Sequence, residues 1–202
     1  MMDSNKLLAD CWKTLSSIAQ DQGYSNEEVF NDWLDLALLS FLSASYNKEK
    51  GTDDPLKWGG EYEEKYLKIV SKYKTKSTAY SFADALGCML QGAIAYPSID
   101  LLGELFMQNI THGEKGQYFT PEHISNLMAD LAMDDKKSEE TNGVQRVADP
   151  ACGSGRMLIS AGLKNPEAEL HGIDLDQRCA KMCVLNFIFR GLNGSVTWGN
   201  AL

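Results

Sequence analysis

The chain has 202 residues, 44% of them hydrophobic, enough for one large domain or two small ones. Its 19 Lys and Arg stand against 28 Asp and Glu, a net charge of −9, which argues against tight DNA binding by this chain alone, because such affinity comes largely from neutralising phosphates with basic side chains. No apolar run approaches the roughly 18 residues of a membrane span, Met1–Asp10 lacks the basic-then-apolar form of a secretory signal, and five cysteines without a paired framework fit a reducing cytoplasm.

Residues 1–110 read as helical. Leu7, Leu8, Cys11, Leu15 and Ile18 mark one face of a first helix. Ser25 and Glu28 form a capping box that opens a strongly apolar helix through Trp33, Leu34, Leu38, Phe41 and Leu42. The polar stretch 47–58 reads as a loop, Glu61 to Tyr73 as a charged amphipathic helix, and Ser81 to Ala95 as a helix that Pro97 ends, with Ser98 to Ile110 following. Lys65, Lys68, Lys72, Lys74 and Lys76 cluster with Tyr66 and Tyr73 among them. The cluster could touch phosphate, but Glu61, Glu63 and Glu64 lie beside it, so a solvated mixed-charge face is the commoner explanation.

After a hinge at residues 111–115, Thr120 and Pro121 supply an N-cap and a first-turn proline. Ile124, Leu127, Met128 and Leu131 then fall on one apolar helix face. The free N–H groups of that first turn suit a carboxylate. A second polar connector, 134–143, leads to Arg146–Ala148, the end of a buried strand closed by Asp149. A tight turn with Gly153 and Gly155 follows, and a helical pattern starts at Arg156. Glycine is needed where a Cβ would collide or where φ is positive. Gly172-Ile173-Asp174 repeats the pattern of an apolar strand ending in an acid. Two acids at the carboxyl ends of successive strands of an α/β unit mark a nucleoside-cofactor crevice. A dinucleotide fingerprint wants a third glycine, where this chain has Leu158, and an acid at the start of the loop would repel a pyrophosphate. It suits a ligand carrying an ammonium and a sulfonium, and so favours S-adenosylmethionine (SAM) over a nicotinamide dinucleotide.

Asp149-Pro150-Ala151-Cys152-Gly153-Ser154-Gly155 resembles the SAM-binding loop of adenine-N6 DNA methyltransferases, above all the methylation subunits of type I restriction–modification systems. Gly116-Gln117-Tyr118-Phe119-Thr120-Pro121-Glu122-His123-Ile124 resembles the segment that precedes that loop in the family and closes over the methionine part of SAM. The resemblance covers residues 116–202. It implies a helical N-terminal domain (1–110) followed by the first part, strands 1–3, of a SAM-dependent methyltransferase Rossmann-like doubly wound sheet (111–202). It implies that Tyr118, Phe119, Thr120 and Pro121 are cofactor neighbours, and that Asp149 holds the methionyl ammonium. Pro150, Ala151, Gly153 and Gly155 form the loop beneath the ligand, Asp174 accepts from both ribose hydroxyls and Leu175 packs on adenine. Asn200 stands where the family usually has an acid that accepts from the adenine amine; its amide oxygen still accepts, without the charge.

The family's catalytic motif, an Asn or Asp with two prolines and an aromatic, comes after the next strand and holds a target base flipped from the duplex. No two of the prolines at 55, 97, 121, 150 and 166 are adjacent, and Asn165-Pro166 lacks the rest of that motif. No catalytic residue is therefore assigned, and the chain alone is expected to be inactive. It would be a fragment of a longer enzyme, a truncated relative, or a chain completed by a partner. Cys152 has no adjacent base and reads as a packing residue. Cys179 and Cys183 lack further ligands at metal spacing and read as buried apolar cysteines. The implied partners are DNA, reached through a specificity subunit or a missing C-terminal region, and restriction and specificity subunits, with no membrane. The alternative is a non-catalytic SAM-binding regulatory or assembly module.

Overall fold

A computed structural model describes residues 3–49, 60–111, 120–132 and 144–201. Among them α1 (Ser4–Gln22), α2 (Asn26–Glu49), α3 (Gly60–Val70), α4 (Lys76–Ala95), α5 (Leu101–Phe106), a π-helical turn (Met107–Thr111) and α6 (Glu122–Ala132) precede an alternating run. That run is β1 (Arg146–Asp149), α7 (Arg156–Lys164), β2 (Glu169–Asp174), α8 (Gln177–Arg190) and β3 (Gly194–Trp198). None of the described helices is long and apolar enough to cross a membrane. The chain forms two compact units: Ala9–Cys88, and Met89–Leu202 together with Met1–Leu8. The division thus falls within α4, and residues 89–110 belong to the same unit as the sheet.

In the first unit, the expected capping box is formed. The Ser25 N–H donates to Glu28 Oε2 at 2.9 Å, and the Glu28 N–H donates to Ser25 Oγ at 3.2 Å. Two otherwise orphaned donors at the start of α2 are thereby satisfied. Cys11, Leu15 and Ile18 of α1 are buried, as are Trp33 and Leu34 of α2. Leu42 is exposed instead; the inward face of α2 runs through Leu36, Ala37 and Leu39. The Trp33 indole N–H reaches the Phe82 carbonyl at 3.3 Å, and the Tyr73 and Phe82 rings meet edge-on at 5.0 Å. Helix bounds shift by a few residues: α2 runs on to Glu49, α3 stops at Val70, and α4 starts at Lys76. Tyr73 is buried with its hydroxyl on Asp32, Lys72 pairs with Asp32 and Lys65 with Glu61. The basic cluster is therefore a mixed-charge face around a core tyrosine.

In the second unit, β1, β2 and β3 form a parallel sheet in that order, each joined to the next by a crossover helix, as parallel pairing requires. Register places Asp149 beside Gly172 and Asp174 beside Trp198. The core beneath the sheet gathers Cys152, Leu158, Ala161, Leu170, Cys183 and Phe187. One expectation is corrected. The strand expected to be buried, β1, alternates exposed and half-buried residues, because only β2 pairs with it among the described residues. The apolar face of α6 is exposed: Leu127 is 52% and Leu131 75% accessible, while Ser125 and Ala129 turn inward. Lys164 of α7 bonds Asp130 and the Asn126 carbonyl of α6.

Candidate functional site

The turn after β1 is strapped to the end of β2. Asp149 Oδ1 accepts from the Ala151 N–H at 3.0 Å, the Cys152 N–H donates to the Ile173 carbonyl at 2.9 Å, and the Gly153 N–H donates to Asp174 Oδ2 at 2.7 Å. Gly153 and Gly155 both have positive φ, +55° and +88°. At Gly155 a second constraint acts from inside: an added Cβ would lie 2.5 Å from Cys183 Sγ. The glycine thus admits the close approach of α8 as well as the left-handed backbone. Cys152 and Cys183 fill the space under the turn, which places both in the core.

Asp174 uses both oxygens on backbone. Oδ2 takes the Gly153 N–H, and Oδ1 takes the Asp176 N–H at 2.8 Å. A carboxylate has about four acceptor positions, so capacity remains on each oxygen. An open cleft lies beside it, lined by Asp174, Leu175, Asp176, Gln177 and Trp198. Leu175 is 74% and Trp198 61% exposed, and the Trp198 indole N–H holds the Leu175 carbonyl at 3.0 Å. The Asp149 carboxyl is pushed above its ordinary value, first by burial and further by the Asp174 charge, against the lowering effect of the Ala151 N–H. A positively charged group placed there would offset both penalties.

Behind the turn lies a buried polar network that sequence reasoning missed. Asp100 caps α5 by accepting from the Gly103 N–H at 2.9 Å. The same carboxylate accepts from the Ser154 hydroxyl, from Asn186 Nδ2 at 2.8 Å and from Arg156 Nε at 3.4 Å. Asn186 Nδ2 also donates to the Ser154 carbonyl at 2.9 Å. An Asp ahead of an apolar run is a legible cap; partners far along the chain leave no local signal.

The structure unites part of the expected set. Asp149, Gly153, Gly155, Asp174 and Leu175 meet at the carboxyl ends of β1 and β2, with Pro150 and Ala151 exposed on the turn. Tyr118 and Phe119 lie outside the described residues. Thr120 is half-buried and Pro121 exposed. The Pro121 carbonyl accepts from the Ser125 N–H, so the cap of α6 falls at Pro121, one residue later than the expected Thr120. Asn200 is exposed beyond β3 and does not line the cleft, whereas Asp176, Gln177 and Trp198 do. Among the described residues no group of three or more His, Cys, Asp or Glu could hold a metal.

A glycine turn strapped between two strand-end acids opens beside an exposed cleft at the carboxyl ends of the strands of a parallel α/β sheet, where sheets of this kind generally bind ligands. Residues 98–202, more than half of the chain, match the N-6 DNA Methylase family, and the chain belongs to that family. It is 35% identical over 105 residues to the Type I restriction enzyme MjaVIII methylase subunit of Methanocaldococcus jannaschii, covering 48% of this chain and 17% of that protein. It is 32% identical over 110 residues to the Type II restriction enzyme and methyltransferase RM.BcgI of Heyndrickxia coagulans, covering 46% and 16%. The chain therefore matches about a sixth of the length of these relatives. The crystal structure of a class I S-adenosylmethionine-dependent methyltransferase from Listeria monocytogenes aligns with a TM-score of 0.52 over 98% of this chain and 54% of that one. At 17% identity that likeness concerns the fold.

Proposed function

We propose that this chain is the cofactor-holding part of a SAM-dependent adenine-N6 DNA methyltransferase of a restriction–modification system, acting in the cytoplasm. The observation that carries the reading is the meeting of Asp149, the Gly153–Gly155 turn and Asp174 at one crevice beside the exposed Leu175 and Trp198. The side chains at the crevice fit SAM. A carboxyl with raised proton affinity suits the methionyl ammonium, the remaining acceptor positions of Asp174 suit vicinal ribose hydroxyls, and Leu175 offers an apolar surface for adenine. When bound, SAM supplies an electrophilic methyl on its sulfonium.

The chain's own residues would position that group and exclude water from it. Asp149 would hold the ammonium, Asp174 the ribose and Leu175 the base; Asn200, exposed beyond β3, would accept from the adenine amine only if the bound base reaches past the cleft. Thr120 and Pro121, with Tyr118 and Phe119 ahead of them, would close over the methionine end. The helical region, residues 1–110, would engage DNA or a specificity subunit, and a restriction subunit would complete the system. Transfer to DNA adenine would need residues that the chain's own sequence lacks, since no Asn-Pro-Pro-aromatic run is present.

Calorimetric titration with SAM, S-adenosylhomocysteine and NADH tests the reading. Micromolar binding of the first two without NADH is the expected result. Binding of NADH alone, or of none of the three, overturns the assignment of this crevice.

A further inference from the structure

The geometry points to Arg156 as a positioning residue that couples the turn after β1 to the Thr120–Pro121 end of α6. The inference rests on the proposed cofactor site for its consequence, but not for the coupling itself. Arg156 is the first residue of α7, directly after Gly155, and is only 8% exposed. A buried guanidinium is tolerated only when it is paired and its donors are used. Its Nη1 donates to the Thr120 carbonyl at 2.9 Å, its Nη2 reaches Glu104 Oε1 at 2.9 Å, and its Nε lies 3.4 Å from Asp100 Oδ2. One planar fork therefore ties the start of α7 to two other segments: α5, through its cap Asp100 and through Glu104, and the residue ahead of α6.

Each end of this link is fixed for a reason. Asp100 accepts the Gly103 N–H and Asn186 Nδ2 on Oδ1, and the Ser154 hydroxyl and Arg156 Nε on Oδ2, which fills a carboxylate's usual acceptor positions. It holds Ser154 in the turn and Arg156 at the turn's end on one buried anchor. On the other side, Thr120 precedes a proline, which biases it toward extended backbone outside the helix ladder. Its carbonyl takes its hydrogen bond from Arg156 Nη1. Lysine would bring the charge without the fork, so it could not satisfy all three acceptors.

Ordering of the turn and ordering of the α6 N-terminus are thereby one event. A ligand held by the turn stabilises the start of α6, and by reciprocity the start of α6 tightens the turn around the ligand.

Hydrogen exchange of the full chain, wild type and Arg156→Lys, with and without SAM, tests this. The amides of Ile124 and Ser125, which donate to the Pro121 carbonyl, report on α6. Those of Cys152 and Gly153 report on the turn, and amides of β2 serve as the control for global stability. Without ligand, the α6 amides exchange faster in Arg156→Lys while β2 is unchanged. With SAM, both regions slow in wild type, but only the turn slows in the variant, and SAM affinity falls roughly 5- to 150-fold. Equal exchange at Ile124 and Ser125 in the two unliganded proteins, or SAM protection of α6 retained in Arg156→Lys, overturns the coupling. If wild type fails to bind SAM, the cofactor reading falls and the unliganded comparison alone decides the coupling. Should Arg156→Lys not fold, Glu104→Gln, which alters the partly exposed partner, takes its place; unchanged α6 exchange in that variant also overturns the inference.

Discussion

Asp149 and Asp174 are the same residue type at neighbouring strand ends, and their surroundings give them different work. Asp174 is spent partly on the fold, since it fastens the Gly153 and Asp176 amides. Asp174→Ala should therefore lower SAM affinity by about 1–3 kcal/mol and also lower the melting temperature without ligand. Loss of stability with unchanged affinity would make it a purely structural acid. The Asp149 carboxyl is raised above its ordinary 3.8, chiefly by burial. The folded state thus keeps this proton to higher pH than the unfolded chain does. The stability tied to the protonated form is fully present below the unfolded value and is lost as pH rises from there through the folded value. Asp149→Asn should accordingly raise the ligand-free melting temperature at neutral pH while weakening SAM binding. In wild type, SAM affinity should fall on acidification through the raised Asp149 value, and calorimetry at a series of acidic pH values should find that dependence absent in Asp149→Asn. A pH-independent wild type would remove Asp149 from the ammonium site. Gly155 offers a separate test. Gly155→Ala meets both a φ of +88° and Cys183 Sγ. Adding Cys183→Ala should recover part of the loss in a double-mutant cycle and leave roughly 1–2 kcal/mol for the left-handed backbone. Additive losses would show that the sulfur contact carries none of the strain.

At the scale of elements, α6 separates periodicity from burial. Its apolar residues recur with helical spacing, and the helix is present, yet that stripe is exposed and the face with Ser125 and Ala129 packs inward. Leu127→Glu and Leu131→Glu should each change stability by no more than about 0.5 kcal/mol. Ala129→Leu should cost roughly 1–3 kcal/mol by overpacking. Chemical denaturation of the three variants distinguishes the two faces, and the reverse ranking would restore the face that periodicity suggests. The same distinction explains what was legible in advance. The Ser25–Glu28 box, the strand–turn–helix at Asp149 and the acid at Asp174 are local patterns in which neighbouring residues supply the physics. The contact of Gly155 with Cys183, the anchoring of Ser154 and Arg156 on Asp100, and the placement of Trp198 beside Leu175 join residues far apart in sequence. Nothing in the local pattern carries them. The exposure of β1 belongs to the same class, since the burial of an apolar strand is set by what pairs with its edges and covers its faces.

At the scale of the whole molecule, charge bears on the proposed partner. The chain carries −9 overall, and two lysines of its basic cluster are held by acids, Lys65 by Glu61 and Lys72 by Asp32. Tyr73, one of the two aromatics within that cluster, is buried and bonded to Asp32. Free energy for duplex binding comes mainly from counterions released as cationic side chains neutralise phosphates. A surface with an acidic excess and engaged lysines releases few. Fluorescence anisotropy with a short labelled duplex should therefore give binding weaker than about 10⁻⁴ M at physiological salt, with a shallow dependence on salt concentration. Saturating SAM should not change this, because the acids proposed to hold it contribute no cations. If the proposed function holds, tight DNA engagement must come from a partner of opposite charge, and adding a basic specificity subunit should restore a steep salt slope. Micromolar duplex binding by the chain alone, lost on replacing Lys68, Lys74 and Lys76 by Gln, would reverse this reading and make the mixed-charge face a DNA contact in its own right.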